Sequence, residues 1–179
     1  MRAMRVCVFG AGAVGGNIAV MLARAGADVS VLVRGATLQA VRARGLELHT
    51  PDGVVRANVR ASDDPRELGE QDAVLVTVKQ TALTASAPAI TALLGRDTPA
   101  VFLQNGIPWW YFHGQGNADE GKRIPELDPG DVLWNTVGPQ RAVGGVTSSP
   151  CTVVEPGVVK LAGKNGTMVF GEPDGSMSP

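Results

Sequence analysis

The sequence has few of the residues on which several protein classes depend. Its 179 residues include two cysteines, Cys7 and Cys151, and two histidines, His49 and His113. Two cysteines cannot build the disulfide framework of a small secreted domain, and neither has a metal-ligand spacing to a histidine. We therefore predict no metal site and a reducing compartment, with Cys7 as a small buried side chain in a strand.

Excess charge and long apolar stretches are also scarce. The formal net charge is −1, so no broad basic surface indicates a nucleic-acid partner. No uninterrupted apolar run approaches the roughly 20 residues that a membrane helix needs. Residues 1–4 lead directly into a strand pattern and not into a signal peptide. We expect a soluble, cytoplasmic protein that uses neither nucleic acid nor a membrane.

Glycine, in contrast, is abundant, with 23 residues, and three of them form a motif. A predicted strand over residues 5–9 leads into Gly10, Gly12 and Gly15, spaced as G-x-G-x-x-G, and a helical pattern follows over residues 17–25. Strand, glycines and helix in this order are typical of a dinucleotide site. Gly10 allows the tight turn, Gly12 lets the backbone approach a pyrophosphate, and Gly15 lets helix and strand pack closely. The alternative is a purely structural glycine-rich turn.

The residue after the second strand favours one dinucleotide over another. Residues 28–33 form an almost wholly apolar strand that completes a βαβ unit of about 30 residues. A NAD site would place Asp or Glu at its end, but Arg34 stands there and can pair with a 2′-phosphate. The helix start at Ala13 and Val14 directs free N–H groups at the phosphates. The sequence therefore favours NADP(H), with a solvated surface arginine as the alternative for Arg34.

The remaining segments predict further elements of the same sheet. They are a helix over 37–44, a hairpin of 46–50 and 54–59, a strand over 73–79, a helix over 81–94, a strand over 100–104, an aromatic helix around 108–112, a surface loop over 114–130 and an antiparallel meander over 141–171. Pro88 should kink the helix over 81–94 or mark its restart. The fold class that follows is α/β: a Rossmann-type, doubly wound, mostly parallel sheet extended by a C-terminal antiparallel meander.

Two polar residues follow strands at the edge where such sheets bind ligands. Lys79 could serve a phosphate or a substrate carboxylate, and Asn105 a ribose or substrate hydroxyl. The alternative for Asn105 is an ordinary Asn-Gly turn. No pair of a nucleophile and a base is visible, and His113 is interpreted as a surface residue.

These motifs together resemble the N-terminal domain of the ketopantoate reductase family. The residues that carry the resemblance are GAGAVGG, Arg34, VTVKQ with Lys79, LQNG with Asn105, and the late GGVTSSP and EPGVV segments. The resemblance covers nearly the whole chain and implies NADPH-dependent reduction of 2-dehydropantoate to pantoate, in pantothenate and coenzyme A biosynthesis. By position it implies these contacts: Gly10, Gly12, Ala13, Val14 and Gly15 to the pyrophosphate, Arg34 to the 2′-phosphate, Lys79 beside the cofactor, Asn105 to cofactor and substrate, and Cys151 near the nicotinamide.

The resemblance also implies a part that this sequence does not contain. In the family a helical second domain brings the general-acid lysine, and neither Lys160 nor Lys164 matches its position. We expect residues 1–171 to form the NADP-binding domain and 172–179 to start a linker, with no catalytic residue in this chain. The expected partner is a small 2-keto acid, and a homodimer is possible.

Two other functions stay open at this stage. One is an NADP-dependent reductase of another 2-keto acid, since the missing half would select the substrate. Lys79 and LQNG favour ketopantoate reductase over the opine and 3-hydroxyacid dehydrogenases. The other is a non-catalytic NADP-binding module.

Overall fold

The computed structural model of the protein describes residues 2–163 and 166–176. Its strands are β1 (Arg5–Phe9), β2 (Asp28–Leu32), β3 (Leu46–Thr50), β4 (Gly53–Ala57), β5 (Arg60–Ser62), β6 (Ala73–Val76), β7 (Ala100–Leu103), β8 (Ala142–Thr147), β9 (Cys151–Glu155), β10 (Val158–Leu161) and β11 (Met168–Gly171). Its α-helices are α1 (Ala13–Arg24), α2 (Gly35–Arg44), α3 (Pro65–Leu68), α4 (Leu83–Thr91) and α5 (Val132–Thr136). The main sheet has the order β11-β8-β7-β6-β1-β2-β5, and a smaller sheet the order β4-β3-β10-β9.

The centre of the main sheet is parallel and buried. β1 pairs in parallel with β2 on one side and with β6 on the other. Successive strand residues point to opposite faces, so Cys7 joins the apolar cluster that contains Ile90 of α4, while Val8 joins the cluster that contains Ile18 of α1. Both strand residues are fully buried, as expected for a sheet covered on both faces. The predicted α/β class, with a mostly parallel, doubly wound sheet, is confirmed.

The C-terminal strands depart from the predicted single meander. β8 pairs in parallel with β7, and β11 pairs antiparallel with β8, so these two extend the main sheet as expected. β9 and β10 instead belong to the smaller sheet, where they pair with each other and β10 lies parallel to β3 of the predicted hairpin β3–β4. The reason is burial: Val158 and Val159 are nearly inaccessible to solvent, and Val159 packs against α1 beside Gly16.

The aromatic segment packs as predicted but is not a helix. Residues 109–112 form turns, in which Trp109 and Trp110 are buried. Their rings lie 5.7 and 4.8 Å from that of Phe102 on β7. Because glycine and polar residues follow directly, the apolar spacing does not extend far enough to support a regular helix, and tight turns bring both indoles onto the sheet.

Other boundaries shift for local reasons. The predicted strand over 73–79 ends at Val76, and a 3-10 turn, Gln80–Ala82, precedes α4, which continues through Pro88 without restarting. The short elements β5, α3 and α5 were not predicted. Lys160 lies on β10, whereas Lys164 falls outside the described residues. No helix in the described part of the chain is long and apolar enough to cross a bilayer.

Candidate functional site

A cleft of about 630 Å³, here called the main cleft, lies at the carboxyl ends of β1 and β2. This is the edge at which open α/β sheets bind their ligands. Its walls include the turn after β1 (Gly10, Ala11, Gly12), the end of β2 and start of α2 (Leu32, Val33, Arg34, Thr37), Asp63 after β5, Val78 after β6, three residues of α4 (Ala85, Ser86, Ala89) and the β9–β10 region (Val153, Gly157, Val158, Val159).

The turn after β1 has a conformation that favours glycine and is held from both sides. Gly10 has a φ of +97°, which L side chains rarely adopt. Its N–H donates to the Leu32 carbonyl oxygen at 3.0 Å, which fastens the turn to β2. The hydroxyl of Thr77, one residue past β6, donates to the Gly10 carbonyl oxygen at 2.5 Å. The backbone at the edge of the cleft is therefore fixed in position.

The second and third motif glycines have different surroundings. A β-carbon added at Gly15 would lie 1.9 Å from the Gly10 carbonyl oxygen and 2.4 Å from the Thr77 hydroxyl oxygen. Gly15 is thus required by the packing of α1 on the turn. A β-carbon at Gly12 would meet no protein atom within 4 Å. Gly12 has a φ of −73°, so neither packing nor backbone conformation requires glycine there, and the space beside it is open to a ligand.

The N-terminus of α1 adds a favourable field for an anion. The first helical hydrogen bond runs from the Gly16 N–H to the Gly12 carbonyl oxygen at 2.8 Å, so the N–H groups of Ala13, Val14 and Gly15 lack helical acceptors. The first turn of α1 has no acidic residue. Free N–H groups and the helix dipole together stabilise a phosphate at such a position. The residues present therefore fit a pyrophosphate.

Arg34 lies on the same cleft, one strand further out. It precedes α2, its side chain is exposed, and it forms no ion pair with any described residue. The first turn of α2 also contains no acidic residue. The guanidinium is therefore available to an anion bound in the main cleft.

A second cavity of about 290 Å³, here called the β7 pocket, contains Asn105 in its wall. Gln80 and Gln104 line it together with apolar side chains such as Trp110. The Gln104 amide donates to the Val78 carbonyl oxygen at 2.8 Å, and Val78 lines the main cleft. This hydrogen bond therefore links the walls of the two cavities at the carboxyl edge of the sheet.

Lys79 and Cys151 line neither of these two cavities. Lys79 is exposed between Val78, which lines the main cleft, and Gln80, which lines the β7 pocket. Cys151 is half-buried at the start of β9, and burial raises the pKa of its thiol. Burial also raises the pKa of Cys7 to about 11, as expected for a structural thiol. The structure thus brings Gly10, Gly12 and Arg34 into one cleft, with Asn105 in the neighbouring pocket.

Two residues at this edge were not singled out from the sequence. Thr77 was counted as part of the apolar strand VLVTVK, although a single hydroxyl inside such a run was a usable signal. Asp63 was not noticed because β5 has only three residues and no recognisable strand pattern. No cluster of three or more metal-ligating side chains occurs among residues 2–163 and 166–176.

Comparisons with known proteins identify one family over most of the chain. The family model of ketopantoate reductase PanE/ApbA matches residues 6–175. A 2-dehydropantoate 2-reductase of Mesorhizobium japonicum is 44% identical over 98% of this chain and 54% of its own length. A crystal structure of a provisionally assigned ketopantoate reductase from Ralstonia solanacearum MolK2 is 38% identical, with a TM-score of 0.93 over 99% of this chain and 55% of that one.

A more distant structure shares the fold. The ternary structure of D-mandelate dehydrogenase with NADH and anilino(oxo)acetate has a TM-score of 0.75 at 23% identity, over 94% of this chain and 48% of that one. The chain spans about half the length of the curated relatives that it matches over most of its length. With the family model matching nearly all of its residues, the chain belongs to the ketopantoate reductase PanE/ApbA family.

Proposed function

We propose that this chain binds NADPH in the main cleft and forms the cofactor-binding half of an enzyme that reduces 2-dehydropantoate to pantoate. One observation carries the proposal: the open space beside Gly12 at the N-terminus of α1 lies in the same cleft as Arg34, which has no ion-pair partner in the described part of the chain. The ketopantoate reductase family and the 44% identical 2-dehydropantoate 2-reductase support the choice of reaction.

Two groups of residues bind the two phosphate-bearing parts of the cofactor in the main cleft. In the proposal, the N–H groups of Ala13, Val14 and Gly15 hold the pyrophosphate, which approaches the backbone at Gly12. The guanidinium of Arg34 binds the 2′-phosphate, for which its planar pair of donors is well suited. Lys79, exposed at the rim of the cleft, adds positive charge beside the phosphates, and Cys151 lies towards the nicotinamide.

Asn105 acts at the nicotinamide end of the cofactor, where the reaction takes place. When bound, NADPH supplies a hydride for the keto carbon of the substrate. The Asn105 amide, in the wall of the β7 pocket, holds the nicotinamide ribose and the substrate oxygen in a fixed relation. Its position is set by the Gln104 amide, which ties the loop after β7 to Val78.

The proton for the new hydroxyl comes from outside this chain in the proposal. Residues 1–171 form the NADP-binding domain and 172–179 begin the connection to a helical domain that carries a lysine as general acid. General-acid help is worth about 10²–10⁴-fold in rate, so this chain alone holds the cofactor but contributes little turnover.

A titration of the chain with NADPH and NADH, followed by calorimetry, tests the proposal. We expect NADPH to bind at least about tenfold more tightly than NADH, since a charged hydrogen bond contributes about 1.5–3 kcal/mol. Arg34→Ala should remove this preference by weakening NADPH alone, whereas Arg24→Ala, an exposed arginine at the far end of α1, should leave it unchanged. Equal affinity of the unmodified chain for both dinucleotides would contradict the NADP assignment.

Location and assembly belong to the same proposal. Pantothenate biosynthesis would place the protein in the cytoplasm. Size-exclusion chromatography with light scattering tells a monomer of 18.5 kDa from a homodimer, which would have about twice that mass.

A further inference from the structure

Asp63 is the only acidic residue among the described side chains that line the main cleft. Its carboxylate is exposed and makes no hydrogen bond or ion pair with residues 2–163 or 166–176. A negative charge in a cleft that binds a dianionic or more highly charged ligand opposes binding unless it faces a hydrogen-bond donor of that ligand. The position of Asp63 therefore offers an acceptor to a hydrogen-bond donor on the ligand.

The chain around Asp63 is held firmly, and its neighbours are already engaged. The Ser62 carbonyl oxygen accepts the Val33 N–H at 2.9 Å, and the Ser62 hydroxyl oxygen accepts the Asp64 N–H at 3.0 Å. The Asp64 carboxylate accepts the Arg66 N–H at 2.9 Å and caps α3. Among residues 62–64, Asp63 is the one whose side chain forms no hydrogen bond within the described part of the chain, and its backbone is fixed against the end of β2.

The sheet order determines which part of a dinucleotide reaches Asp63. β5 lies outside β2, which lies outside β1, so Asp63 is two strand spacings, roughly 10 Å, from the Gly10 turn. If the pyrophosphate lies at α1 and Arg34 holds the phosphate on the adenosine ribose, the adenine is the part of the ligand left at this end. Its 6-amino group is a neutral donor on the edge of the base.

We propose that the Asp63 carboxylate accepts a hydrogen bond from the 6-amino group of the adenine and so selects adenine over other purines. The inference rests on the proposed NADPH site and adds a residue that recognises the adenine base. In this arrangement Arg34 selects the phosphate and Asp63 selects the base, from the ends of two adjacent strands, paired as Leu32 with Ser62.

The test compares NADPH with its hypoxanthine analogue, in which a 6-oxo group replaces the 6-amino group. Dissociation constants are measured for the unmodified chain, for Asp63→Asn and for Asp28→Asn. Asp28 is the matched control, because it is an exposed carboxylate at the opposite end of β2. The change in net charge is the same in both variants.

The unmodified chain and Asp28→Asn should bind NADPH about five- to twentyfold more tightly than the analogue. Asp63→Asn should bring the two affinities within about twofold of each other, because the amide can donate to the 6-oxo group. An unmodified chain without preference, or a preference that survives in Asp63→Asn, would overturn the inference while leaving NADPH binding intact. Absence of NADPH binding in all three proteins would contradict the proposed function and the inference together.

Discussion

Comparing Gly12→Ala with Gly15→Ala distinguishes the proposed ligand-binding role of Gly12 from the packing role of Gly15. The added methyl group meets no protein atom within 4 Å, and the φ of −73° at Gly12 suits alanine. The same substitution at Gly15 would place a carbon 1.9 Å from the Gly10 carbonyl oxygen. Gly12→Ala should therefore lose NADPH affinity and keep its stability, whereas Gly15→Ala should lose stability.

The effect of Gly12→Ala on stability is small because two contributions oppose each other. Alanine is a poorer residue than glycine before a helix, which costs roughly 0.5–1.5 kcal/mol. It also restricts the unfolded chain, which stabilises the protein by about 0.4–1 kcal/mol. The free energy of unfolding should change by less than about 1 kcal/mol, and Tm by less than about 4 °C.

The effect of Gly12→Ala on the cofactor should be large. In the proposed site the methyl group would occupy the side from which the pyrophosphate reaches the N–H groups of α1, and charge-assisted hydrogen bonds of this kind contribute about 1.5–3 kcal/mol. NADPH affinity should fall at least about tenfold, measured by calorimetry, with Tm followed by differential scanning calorimetry.

Gly15→Ala should instead cost about 3 kcal/mol or more in stability, because a backbone oxygen must move. If Gly12→Ala binds NADPH as tightly as the unmodified chain, the pyrophosphate does not approach at Gly12, and the assignment of the motif is refuted.

Three further predictions concern the turn, the pH dependence and turnover. Thr77→Val removes the hydroxyl that holds Gly10 and should lower the free energy of unfolding by about 1 kcal/mol and weaken NADPH binding, measured by urea denaturation and calorimetry; no change in either would contradict its role. The Arg5 backbone N–H and the Arg2 guanidinium hold the pKa of the Asp72 carboxyl well below its usual range, so its stabilising effect is present above about pH 4 and is lost as the pH falls further. Urea denaturation should therefore show a smaller difference between the unmodified chain and Asp72→Asn at pH 3 than at pH 7, and an equal difference would refute the linkage. The 179-residue chain should oxidise NADPH with 2-dehydropantoate at least about 100-fold more slowly than the full-length Mesorhizobium japonicum relative; comparable rates would place a proton donor within this chain.

The first third of the fold could be predicted because its signals are local. The apolar run of β1, the motif glycines and the helical spacing of α1 lie next to one another. The turn residues Pro51-Asp52-Gly53 likewise mark the connection between the two strands of the β3–β4 hairpin. The shared cleft of Gly10, Gly12 and Arg34 follows from the parallel βαβ arrangement alone. Their roles towards the cofactor remain predictions.

The pairing of the late strands could not be predicted in the same way. β10 pairs with β3, more than 100 residues earlier, and short alternating strands carry no information about a partner at that distance. The start of α5 was missed because its cap is distant: the buried Asp128 accepts the N–H groups of Leu133 and Trp134, five and six residues later. Asp63 was missed because its significance depends on the three-residue strand before it.

A crystal structure of this chain with NADPH tests the claim that the main cleft holds the cofactor. We predict that the pyrophosphate lies within hydrogen-bond distance of the N–H groups of residues 13–15 and that the 2′-phosphate contacts Arg34. Density for the dinucleotide at any other surface, or a 2′-phosphate remote from Arg34, would contradict the claim.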